Sequence, residues 1–265
     1  KTATTYEADI LREMFLGLVA QDARADLIPG AAESWTVSAD NTVYTFKLRQ
    51  GAKWSNDDPV TADEFVFAFQ RLQNPETAAE YASMLYVVKN AEAINQGKAK
   101  PEEIGVKAID ASTLEVTLNA PTPYFLEMLT HQATYPVHKA TVEKFGNDWT
   151  KPGNIVSNGA YNLAEFVPND HIKLVKNSNF YDAANVKIDT VNYIPNEDRA
   201  AAVKRFEAGE LDSHEDMPTE QLADIRAKFG DQVRIGPYLG TYYYTFKTDK
   251  APWSEPKLRR AISMA

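Results

Sequence analysis

Cysteine is missing from all 265 residues. Its absence excludes thiol catalysis, cysteine-ligated zinc and disulfides, and it leaves the redox compartment open. Long apolar runs are missing too, since none approaches the roughly 18–20 residues needed to span a bilayer. Histidine is scarce, at positions 131, 138, 171 and 214 only. No two of these stand at metal-ligand spacing, and neither an HExxH motif nor an EF-hand loop occurs. Basic clusters are absent as well. Lysine and arginine are dispersed under a net charge of −9, which argues against nucleic acid or an anionic membrane as a partner. There is no nucleophile elbow, phosphate loop or dinucleotide fingerprint, and Gly97, Gly105 and Gly146 stand alone. No signal peptide is visible at Lys1, so the sequence reads as cytoplasmic or as an already processed product.

With 44% apolar and 25% charged residues, the composition suits a soluble globular protein with one or two cores. Paired carboxylates such as Glu102-Glu103, and Glu210 with Asp212, read as solvated faces. His214-Glu215-Asp216 is the one local cluster that could suit a metal, but consecutive loop residues converge poorly on one ion. No catalytic residue, metal site or cofactor is expected.

Residues 29–72 carry the strongest signal. Residues 34–37 and 43–48 are β-rich runs separated by Ser38-Ala39-Asp40-Asn41, a turn sequence. In the second run Val43, Thr45 and Lys47 alternate with Tyr44, Phe46 and Leu48, the period of a half-buried strand. Gly51 and then Asn56-Asp57-Asp58-Pro59 break the chain twice. Thr61-Ala62-Asp63-Glu64 is a capping box opening a helix whose Phe65, Ala68, Phe69 and Leu72 share one face.

Elsewhere the pattern predicts helices over 7–18, 81–95, 199–208 and 219–228, and strands over 113–118, 172–176 and 191–194. Thr4 and Glu7 fit a capping box for the first helix, whose Ile10, Leu11, Met14, Phe15 and Leu18 form an apolar stripe. The closing residues 257–265 read as a helix that stops without a cap. Tyr238, Tyr242, Tyr243 and Tyr244 fall in a strand-like run, with Tyr242 and Tyr244 on one face and Tyr243 on the other. Tyrosines there suit either plain cross-strand packing or a binding surface that accepts varied side chains.

The order of these residues resembles the extracytoplasmic solute-binding proteins that serve peptide and nickel ABC importers, and among them the oligopeptide-binding proteins. Besides residues 29–72, the resemblance rests on Tyr81-Ala82-Ser83, residues 105–110 and 113–118, Pro121-Thr122-Pro123-Tyr124-Phe125, and Glu143-Lys144-Phe145-Gly146 with Trp149. It continues through residues 152–161, Gly209-Glu210-Leu211-Asp212, Met217-Pro218 and residues 237–244. The family usually has glycine where Asp57 stands, and aspartate tolerates left-handed backbone better than most residues.

The resemblance implies an α/β fold: a lobe like those of type II periplasmic binding proteins, broken by an inserted α+β domain and truncated at the start of a second lobe. Residues 1–15 and 140–239 would form the first lobe, 16–139 the insertion, and 240–265 the crossover into the second lobe. The implied function is not enzymatic. The protein would capture short peptides in extended form between two lobes and deliver them to the membrane permease subunits of an ABC importer. It would work in the periplasm, or lipid-anchored on the outer face of the cytoplasmic membrane, as a monomer when full length. Backbone pairing would supply affinity while roomy pockets take the alternating side chains.

By the same resemblance, Ala3, Thr4 and Thr5 match the segment that offers backbone pairing, and Tyr81 matches a tyrosine that reaches the cleft from the insertion. His214 and Glu215 match a polar pair where asparagines are familiar. Gly240 replaces a different small residue between Tyr238 and Tyr243, both at cleft-lining positions. A carboxylate at 215 beside an imidazole at 214 favours a cationic group nearby, and a one-residue shortening between Asp212 and Met217 alters that wall. The other readings are a relative specialised for a nickel complex, haem or murein peptide, and a chaperone-like surface protein without a transport role.

Overall fold

The computed structural model describes residues 6–236 and 240–265. Helix α1 (Tyr6–Met14) stops at Met14, not at the predicted 18. The reason is competition for its last backbone groups. The Met14 carbonyl accepts the N–H of Gly159 at 2.8 Å, and the Leu16 N–H donates to Asn158 Oδ1 at 3.0 Å. Phe15 and Leu18 are still buried, as the apolar stripe requires. Strands β1 (Val19–Gln21) and β2 (Leu27–Pro29) follow as a small antiparallel ribbon.

The signature region forms as its pattern predicts. Strands β3 (Ala32–Val37) and β4 (Val43–Leu48) pair antiparallel, and Tyr44, Phe46 and Leu48 are buried while Lys47 faces solvent. Two later strands, β5 (Val106–Asp110) and β6 (Thr113–Thr117), complete a sheet of order β3-β4-β6-β5. Helix α2 (Ala62–Gln73) opens at Thr61, whose N–H donates to Glu64 Oε2 at 3.3 Å. Its Phe65 and Phe69 are wholly buried in one core with Phe46, Trp54 and Phe125. Asp57 adopts φ 72°, the left-handed turn conformation.

The helix predicted over 81–95 is a different object. Residues Ala82–Leu85 make a single 3-10 turn, and only Ala91–Asn95 forms helix α3. Between them the C-terminal end of β6 claims the backbone: Val88 bridges Leu118, and the Lys89 N–H donates to the Thr117 carbonyl at 2.9 Å. Asn90, at φ 63°, turns the chain back into α3.

Short helix α4 (Phe125–Met128) and helix α5 (Lys139–Phe145) lead to a second antiparallel sheet, β7 (Tyr161–Val167), β8 (His171–Lys176) and β9 (Thr190–Tyr193), in that order. The chain divides by contacts into two compact units, Lys1–Pro195 and Asn196–Ala265. The second holds α6 (Arg199–Glu207), α7 (Leu222–Phe229) and α8 (Pro256–Met264). Phe206 and Phe229 join α6 to α7 edge to face at 5.4 Å, beside buried Ala202 and Ile225. No helix among the described residues is long and apolar enough to cross a membrane.

Candidate functional site

Tyr81 stands just ahead of the 82–85 turn, half-buried. Its ring lies 4.6 Å from the imidazole of His131, which in turn caps the next turn by accepting the Ala133 N–H at 3.1 Å. Burial, and secondarily Arg12, hold the His131 pKa below the usual imidazole range. A neutral ring is also what the capping role needs. Both rings are fixed by local turns, so Tyr81 is placed by backbone rather than by a helix face.

Tyr81 lines one side of a cavity of about 640 Å³ within the first unit. Helix α1 contributes Ile10, Leu11 and Met14, and α2 contributes Ala68, Arg71 and Leu72. Trp149 and the strand residues Leu163 and Ile172 close the floor. The surface is mostly aliphatic and aromatic, with Glu7, Arg71 and Lys151 as its charged members. The Arg71 guanidinium lies 5.8 Å from the Trp149 ring centre, and its burial lowers its pKa. A concave apolar wall with a few polar points suits binding rather than bond making.

In the second unit, His214 and Glu215 line a smaller cavity of about 520 Å³ with Phe206, Ile225, Phe229 and Arg234. The Nε2 of His214 is buried and finds no hydrogen-bond partner among the described residues. Glu215 is exposed. A cavity lined by apolar Phe206, Ile225 and Phe229 together with the imidazole of His214 and the carboxylate of Glu215 can receive a side chain that is long, apolar along its stem and charged at its tip.

Gly240 and Tyr243 are exposed and lie outside this lining. The strand expected around Tyr242–Tyr244 is not formed among the described residues. A strand exists only beside a partner it can hydrogen-bond to, and the described residues of 196–265 hold none. The expected same-side placement does persist, with the Tyr242 and Tyr244 rings edge-on at 5.7 Å. Ala3, Thr4, Thr5 and Tyr238 lie outside the described residues. Among the described residues no group of three or more His, Cys, Asp or Glu is placed to hold a metal ion.

Arg71, His131 and Trp149 were not assigned to a site from the sequence. A signal existed for Arg71. It follows Ala68 by three positions on the stripe that carries Leu72, so a cation there points at the core face. His131 carried no pattern of its own.

Residues 26–265 match the family described as bacterial extracellular solute-binding proteins, family 5 Middle. The periplasmic oligopeptide-binding protein OppA of Salmonella typhimurium is 42% identical over 262 residues, covering 98% of this chain and 48% of that protein. The periplasmic murein peptide-binding protein MppA of Escherichia coli is 41% identical over 260 residues, covering 97% of this chain and 48% of that one. Among solved structures, Haemophilus influenzae OppA in complex with RPPGFSPFR superposes with a TM-score of 0.95 at 40% identity, over 99% of this chain and 52% of that chain. Burkholderia pseudomallei OppA superposes at 0.96 with 39% identity, again over 99% and 52%. This chain spans about half the length of the curated relatives it matches.

Proposed function

Since this chain belongs to the family 5 bacterial extracellular solute-binding proteins, we propose that it supplies one wall of a cleft in which a short peptide is held extended for delivery to the permease of an ABC importer. The single observation that carries this is the match over nearly the whole chain to oligopeptide-binding proteins, including one solved with a peptide bound. The family consists of binding proteins of transporters rather than enzymes. The Salmonella typhimurium and Escherichia coli relatives are periplasmic, and the periplasm is the proposed compartment.

In this reading Ala3, Thr4 and Thr5 pair with the peptide backbone, while Tyr81, Tyr238, Gly240 and Tyr243 shape the side-chain space. His214 and Glu215 bias one pocket towards lysine or arginine. Two features support that bias. The His214 Nε2 has no hydrogen-bond partner among the described residues, and the Haemophilus influenzae relative is solved with a peptide that has arginine at both ends. The murein peptide of the Escherichia coli relative is a second ligand of the same chemical class.

Mass spectrometry of small molecules carried through native purification of the full-length protein tests the ligand class. A mixture of short peptides is expected. A single cofactor, or no ligand at all, would contradict it.

A further inference from the structure

Gln73 closes helix α2 and is wholly buried, an uncommon place for a side-chain amide. Its Nε2 donates to the Ala82 carbonyl at 2.9 Å. Its Oε1 is buried with no hydrogen-bond partner among the described residues. Its backbone carbonyl, one of those that a helix end leaves free, accepts the Asn95 Nδ2 at 3.2 Å. The Asn95 Oδ1 in turn accepts the Tyr86 hydroxyl at 2.6 Å. Both amide orientations are fixed by these partners, because only an NH2 group can face a carbonyl.

A buried amide whose oxygen is unpaired costs stability relative to an apolar side chain of the same size. What it supplies is position. The Ala82 carbonyl belongs to the 82–85 turn, which Tyr81 immediately precedes. The turn's own bonds are local: the Ala82 N–H donates to the Ala79 carbonyl at 3.2 Å, and the Met84 N–H to the Tyr81 carbonyl at 3.1 Å. They shape the turn without placing it against α2. Buried Ala82 and Leu85 press it onto the core, but apolar contact is non-directional. The Gln73 amide is directional, and it sets where the turn sits along the helix end. Arg71 and Leu72 of α2 line the same cavity as Tyr81, so this bond joins two walls of one space.

We propose that Gln73 is a positioning residue for Tyr81, its amide fixing the separation between the α2 wall and the tyrosine ring and so the side-chain space offered to a peptide. The consequence for peptides rests on the reading of Tyr81 as a cleft residue. Asn95, steadied by Tyr86, braces the Gln73 backbone from α3. The His131 ring, 4.6 Å away, backs the Tyr81 ring. Without the amide the tyrosine is left to that ring contact and to its own turn.

The test uses the chain extended to the length of its relatives, with Gln73→Met, which keeps side-chain length and removes the donor. Fluorine NMR of 3-fluorotyrosine, its Tyr81 signal assigned from a Tyr81→Phe spectrum, reads the ring without any ligand. The Tyr81 signal should shift or broaden in Gln73→Met, while the melting temperature holds or rises. An unmoved Tyr81 signal would overturn the inference. Calorimetric titration with the peptide Lys-Ala-Lys should show roughly tenfold weaker binding in Gln73→Met, and no further loss when the same change is made in Tyr81→Ala. An equal loss in both backgrounds would also overturn it, since Gln73 would then act other than through Tyr81. A shifted signal with Tyr81→Ala itself neutral towards the peptide would leave the positioning intact and remove Tyr81 from the cleft. Gln73→Leu, equally without the donor, is the second variant. Failure of both variants to fold would contradict the proposal, because it assigns the amide to position and not to stability.

Discussion

Glu215 and His214 show how far single residues can be read. Their types and adjacency suggested a pocket for a cation. The folded chain adds that the imidazole Nε2 is buried with no partner among the described residues, a state that costs about 1–3 kcal/mol until a donor or acceptor arrives. Replacing Glu215 by Gln in the complete protein should weaken lysine-containing peptides more than alanine peptides, by roughly 1–3 kcal/mol in a competition titration. Equal loss for both, or none, would remove Glu215 from the pocket. Gly159 shows what residue types conceal. It lies in a segment that carries the family resemblance, but no local pattern marks it as a packing point. Yet a Cβ there would sit 2.5 Å from the Met14 carbonyl carbon. Gly159→Ala should cost about 1–3 kcal/mol in chemical denaturation. A neutral effect would mean that the α1 terminus gives way easily. Such contacts are long-range, and sequence spacing carries no information about them.

At the scale of elements, legibility tracked how locally each was determined. Helix α2 carries its own start signal and apolar stripe, and β4 its own alternation, so both formed as predicted. Strand β7 escaped notice because its outer half, Glu165 to Val167, is exposed and breaks the alternation. The single helix predicted over 81–95 failed because the end of a distant strand took the backbone of residues 88 and 89, which no local propensity reveals. Helix α6 tests the local rule from the other side. Asp198 accepts the N–H groups of Ala200 and Ala201 at 2.9 and 3.0 Å. Asp198→Ala should therefore destabilise α6 by about 0.5–2 kcal/mol. Faster amide exchange across 199–207, with residues before 195 unaffected, is the expected reading. Unchanged exchange would show that packing through Phe206 and Phe229 holds the helix without its cap.

At the scale of the molecule, the family and the α/β character were legible because many ordered motifs span the chain, and the match over residues 26–265 agrees. The division into a lobe of 1–15 and 140–239 and an insertion of 16–139 is our proposal. The bonds from Gly159 and Asn158 to the end of α1 support it. Native-state hydrogen exchange under mild denaturant should show α1 opening together with β7 and β8. Opening with α2 and β4 would contradict the division. The binding wall was legible only in part, because the cleft we propose needs a facing half that this chain does not contain. Closure of two lobes expels water and completes the hydrogen bonds to a ligand. Calorimetric titration of short lysine-containing peptides into this chain, alongside the same chain extended to the length of its relatives, tests that claim most directly. The extended protein should bind tightly, and this chain weaker by several decades at about 1.4 kcal/mol each. Submicromolar binding by this chain alone, or no binding by the extended protein, would contradict the account.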